Sequence, residues 1–175
     1  MMLRTPSIAG LSLCLLVACG PQQNNDVPDM GTDAGPDPIE PLVPADISSW
    51  QQARDCRFSH EHELAYINVL VNAAAEEPYR ELSADLPYPI GATLVKPAYL
   101  DEDCTTITGY TAMQKISANT APDGTGWRWQ RLNADREVLE DGVLDSCITC
   151  HAHHCTPGQC GYPDCGYDLT CNEEL

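Results

Sequence analysis

The stretch Cys147-Ile148-Thr149-Cys150-His151 constrains this chain more than any other. Two thiols separated by two residues lie on one turn, at the spacing that lets both sulfurs add across the vinyl groups of a haem. The histidine that follows then lies under the iron as its proximal ligand. The same five residues admit two further readings: a disulfide or redox pair Cys147–Cys150, or a zinc site drawing on His151, His153, His154 and Cys155.

The N-terminus bears on that choice. Arg4 precedes an apolar run from Ile8 to Ala18 that is short for a membrane span, so residues 1–18 read as a signal peptide. Its end, Leu16-Val17-Ala18-Cys19, resembles the lipobox of bacterial lipoproteins, which implies cleavage before Cys19 and a lipid on its thiol. The other reading is an ordinary secretory signal with an incidental cysteine. Gly20, in place of aspartate, implies by the same resemblance an outer membrane lipoprotein facing the periplasm or the cell surface, held by buried methylenes. Export supports a haem, because bacterial c-type attachment takes place outside the cytoplasm.

Residues 19–44 are rich in Pro, Asp, Asn and Gly and lack the apolar surface to offset the entropy of ordering. They read as a disordered tether, kept extended by Pro28, Pro36, Pro38, Pro41 and Pro44. A net charge of -17 and a pI near 4.3 repel phosphate backbones and anionic head groups, which argues against nucleic acid and electrostatic membrane partners.

Residues 45–152 read as one folded domain. Asp46 caps a short helix through Arg54, with Ile47 and Trp50 on one face. His60 to Asn72, β-branched and aromatic towards its end, reads as a strand, with a helix as the competing reading. Ala73 to Leu82 reads as a helix with Pro78 near an end. Ala92 to Tyr99, Ile107 to Ile116 and Gly126 to Leu132 read as further strands, with a turn at Ala121-Pro122-Asp123-Gly124. Arg136 to Gly142 carries charged residues into the haem motif. The expected class is α+β, a mostly antiparallel sheet with a few short helices.

A strand, a short helix, Gly-Ala-Thr-Leu-Val-Lys, Gly-Tyr-Thr-Ala-Met, Gly-Trp-Arg-Trp-Gln-Arg and a late C-x-x-C-H, in that order, together resemble the cytochrome P-460 family over about residues 64–152. The resemblance implies a small β-rich protein, commonly a homodimer, with one covalently attached haem c, a histidine proximal ligand and an open distal position. It also implies one of two functions. One is oxidation of hydroxylamine or a similar small nitrogen compound, with electrons passed to an acceptor. The other is a non-catalytic module that binds NO or CO, or transfers electrons. In the enzymes a lysine in a Gly-x-x-x-x-Lys strand is bonded to the haem edge; Gly91 to Lys96 matches it, making Lys96 the candidate cross-link.

A sixth ligand would close the distal side, and Met113, His60, His62, His153 and His154 are the residues able to serve. Met113 reads as core, and His60 and His62 as pointing outward. Glu137, Glu140, Asp141 and Asp145 read as solvated carboxylates. Gas-binding members cap the distal site with phenylalanines, whereas this chain has only Phe58. Trp127 and Trp129 read as core packing.

Residues 153–175 form a Cys-rich tail that departs from the family pattern. Cys155, Cys160, Cys165 and Cys171, with Cys56 and Cys104, are six cysteines outside the signal, lipid and haem sites. In an oxidising compartment they read as three disulfides, with Cys56–Cys104 and two bridges within the tail preferred among fifteen connectivities. A zinc site in the tail is the alternative.

Overall fold

Successive side chains of a strand point to opposite faces, and in the central strands both faces are buried. In the computed structural model, residues 38–120, 123–155 and 166–171 are described. The expected signal, Cys19, most of the tether, Ala121, Pro122, Cys160 and Cys165 lie outside them.

Six strands form one antiparallel meander in sequence order: β1 Gln51–Ser59, β2 Ala65–Val71, β3 Thr93–Tyr99, β4 Ile107–Lys115, β5 Trp127–Asn133 and β6 Val138–Gly142. Helix α1 is Glu76–Glu81 and α2 is Asp145–His154; β7 Gly166–Tyr167 and β8 Thr170–Cys171 form a separate hairpin. This is the expected α+β class with a disulfide in the C-terminal region.

The sheet is covered on both faces. On one, Val69, Val71, Leu94, Met113, Trp127 and Trp129 pack with Tyr79 of α1, Ile148 of α2 and Leu169 of the tail. On the other, Val95, Ala112 and Leu132 pack with Val43 and, at the edge, Leu42, Ile47 and Trp50. Neighbours such as Leu94 and Val95 therefore serve opposite cores. Residues at the end of the expected tether join this second layer: Val43 is fully buried, and Leu42 N donates to Gln130 Oε1 at 2.6 Å.

Three local readings change. Residues 51–54, expected in a helix with Ile47 and Trp50, belong to β1, because pairing with β2 and a disulfide from Cys56 to Cys104 hold the segment extended. The strand expected from His60 starts at Ala65; His60 to Leu64 form the turn, with Glu63 and Leu64 left-handed at φ 59° and 57°. Charged Val138–Gly142 is a strand at the sheet edge, where exposed charge discourages further pairing.

Candidate functional site

The face that carries Leu94 also carries Lys96 and Ala98, two residues apart each time. Gly91 opens this segment at φ +91°, a conformation that glycine adopts without strain, and its N–H donates to Lys115 O at 2.8 Å. The glycine and lysine of the Gly-x-x-x-x-Lys stretch thus have separate structural roles: one turns the chain, the other lines a cavity.

That cavity, of about 340 Å³, lies between the sheet and α2. Leu94, Lys96, Ala98, Thr111, Met113, Trp129 and Arg131 line it from the sheet, and Cys147, Cys150 and His151 from the helix. The spacings i, i+3 and i+4 place those three helical side chains on one face. Both thiols are free, and burial raises the pKa of each.

His151 has a fixed tautomer. Its Nδ1 lies 2.7 Å from Leu169 O, which can only accept, so Nδ1 carries the proton and Nε2 keeps its lone pair. Burial, then the Lys96 charge, lowers its pKa to about 3, which keeps the ring neutral. Trp129 packs edge-on at 5.0 Å between ring centroids. Trp129 lines the cavity, and its Nε1 is buried with no partner among the described residues.

The hairpin between β1 and β2 covers the same space. Its left-handed pair swings His62 inward, correcting the outward expectation, while His60 stays exposed against Phe58. Lys96 Nζ donates to His62 Nε2 at 3.2 Å, and Ser59 Oγ lies 2.9 Å from His62 Nδ1. The imidazoles of His62 and His151 stand 6.4 Å apart between centroids. Burial, followed by the charge of Lys96, lowers the His62 pKa to about 2; burial, followed by Arg57, lowers that of Lys96 to about 8. Glu63 forms an ion pair with Arg131, and Glu61 Oε2 lies 3.7 Å from Cys150 Sγ.

Other expectations resolve as follows. Met113 is core and lines the cavity; Trp127 and Trp129 are core. Phe58 is exposed and off the cavity, as are Glu137, Glu140, Asp141 and Asp145. His153 and His154 line a second depression beside Asp145 and Thr149, where a His154 ring nitrogen lies within 4.8 Å of Cys150 Sγ and a Glu61 carboxylate oxygen. Cys56 pairs with Cys104 and Cys155 with Cys171. Sequence reasoning named His62 but placed it outward, and it missed the Leu169 carbonyl. Only the parity of Trp129 with Arg131 could have signalled the tryptophan.

The residues present fit a covalently held haem. Two unpaired thiols and an imidazole with a free Nε2 share one wall, and an apolar cavity with an orphaned indole N–H lies against them. No curated protein matches the chain. A family model described as Cytochrome P460 matches residues 44–157, the greater part of the chain, and takes in all of these cavity residues: the chain belongs to the cytochrome P460 family, whose haem is covalent and of the c type.

Proposed function

We propose that this protein is an oxidoreductase carrying a single haem c, which oxidises hydroxylamine or a similarly small nitrogen compound and passes the electrons to an acceptor. Cys147 and Cys150 hold the haem through thioether bonds, and His151 Nε2 is the proximal ligand. The observation that carries the reading is Lys96, whose amine lies in the cavity within 3.2 Å of His62 and is held near its deprotonation point. A half-buried amine with no carboxylate partner among the described residues costs stability, and perturbed lysines of this kind concentrate at reactive sites. In the family's enzymes the corresponding lysine is bonded to the macrocycle edge, and Lys96 takes that role here.

When bound, the haem supplies an iron able to accept electrons from the nitrogen compound. The chain supplies the rest. His62, its ring kept neutral by desolvation and oriented by Ser59, holds the Lys96 amine in place through Nε2. Leu94, Met113 and Trp129 exclude water around it. The absence of Phe58 from the cavity leaves the phenylalanine-capped gas-binding reading without its cap. We further propose that Cys19 is lipidated and that the tether carries the domain from the outer membrane.

The test is the ferrous optical spectrum of protein exported with cytochrome c maturation, for wild type and Lys96→Arg. A Soret band far to the red in the wild type, lost together with hydroxylamine oxidation in the variant, is expected. An identical spectrum in both overturns the cross-link.

A further inference from the structure

The family match ends at residue 157, yet the chain beyond it reaches into the centre of the site. Asp168 and Leu169 form the two-residue turn of the β7–β8 hairpin, at φ 49° and 63°. Such a turn requires positive φ at both positions and ordinarily takes Asn-Gly. A leucine in that conformation persists only where its surroundings over-determine it.

Four anchors do so. Cys171 is bridged to Cys155 at the end of α2. Asp168 accepts from Lys115 Nζ at 2.5 Å and from Trp127 Nε1 at 3.1 Å. Thr170 Oγ1 lies 3.0 Å from Tyr88 Oη, and Tyr79 Oη donates to Cys171 O at 3.2 Å. Between them the Leu169 carbonyl meets His151 Nδ1 at 2.7 Å.

We propose that the tail hairpin is a proximal clamp. The Leu169 carbonyl fixes the rotation and tautomer of His151 and raises the basicity of its Nε2, and the Cys155–Cys171 bridge makes the clamp conditional on an oxidising compartment. Ligating histidines usually donate their second N–H to such a partner, whose loss weakens metal binding 10–100-fold. The clamp rests on the reading of His151 as the iron ligand. Leu169 is a positioning residue acting through His151.

The experiment uses the full-length haem-loaded protein as wild type, C155A/C171A and C56A/C104A. Resonance Raman spectroscopy of the ferrous form reads the iron–histidine stretch, and a redox titration reads the midpoint potential. The stretch is expected to fall in frequency and the midpoint to rise in C155A/C171A alone. C56A/C104A loses stability and keeps both values. An unchanged stretch and midpoint in folded C155A/C171A overturn the clamp. Should that variant not accumulate, folded C56A/C104A treated with a water-soluble phosphine opens the tail bridge and leaves the thioether bonds intact. The same downward shift is expected, and an unmoved band overturns the proposal. Absence of an iron–histidine band in wild type whose ferrous haem is five-coordinate and high-spin would instead remove His151 as ligand, and with it the function proposed above.

Discussion

Asp168→Ala tests how the tail is held. Lys115 and Asp168 are an ion pair at 2.5 Å with side chains 1% and 0% exposed. Removing the carboxylate leaves an ammonium in the core, and breaking a buried pair from one side costs about 3–5 kcal/mol. Trp127 Nε1 loses its acceptor as well, worth about 1–3 kcal/mol where no water replaces it. Against this, Lys115 Nζ retains Asn119 O at 2.6 Å and the face of Trp127 at 4.9 Å. These terms overlap, and the net loss expected is about 4 kcal/mol, a large part of the 5–15 kcal/mol of a typical domain. Urea unfolding followed by far-UV circular dichroism at neutral pH, disulfides intact, measures it from the midpoint at constant slope. The double variant K115M/D168L, which removes both charges, should recover the part of the loss due to the unpaired ammonium, while Trp127 Nε1 stays without its acceptor. A loss below about 1 kcal/mol in Asp168→Ala would refute the reasoning, since the carboxylate would then not be neutralising a buried charge.

Gly91→Ala is expected to cost about 1–2 kcal/mol from backbone conformation alone, since nothing lies within 4 Å of the added Cβ; urea unfolding checks it. Opening Cys56–Cys104, which closes a 48-residue separation, should cost about 4 kcal/mol by chain entropy, read from the thermal midpoint of the C56A/C104A variant. Asp101 accepts from the backbone of Thr105 and the Thr106 amide, and these bonds hold its pKa down to about 2. A depressed carboxylate contributes stability that is present above its unfolded value of 3.8 and is lost as pH falls through about 2. The difference in urea midpoint between wild type and Asp101→Asn should therefore shrink across that window, and a difference independent of pH would contradict it.

Much of the site was legible because helices and strands have fixed periods. Cys147, Cys150 and His151 share a helical face by spacing, and Leu94 and Lys96 share a strand face by parity. The Cys56–Cys104 pairing was expected and is present. What escaped depended on non-local pairing or on backbone atoms. β1 lacks a clear apolar alternation, and its register with β2 shifts twice, so the local Ile47 and Trp50 spacing suggested a helix. His62 turns inward because Glu63 and Leu64 are left-handed, a conformation their side chains do not announce. The partner of His151 is a carbonyl, which every residue carries.

The distribution of sulfur follows from the same packing. Cys147 and Cys150 are near enough in sequence to oxidise to each other, and Cys155 is five residues beyond. Thiol exchange needs a thiolate, and burial raises the pKa of both motif cysteines, so each is a slow partner at neutral pH. Cys155 is removed from competition by Cys171, which the Asp168 ion pair brings to the end of α2. Cys56 and Cys104 tie β1 to the loop after β3. Among the described cysteines, the two left as thiols are those that face the cavity. The tail thus contributes twice to one wall of the site: it sequesters the sulfur that would compete with the motif, and it offers the carbonyl that orients the imidazole.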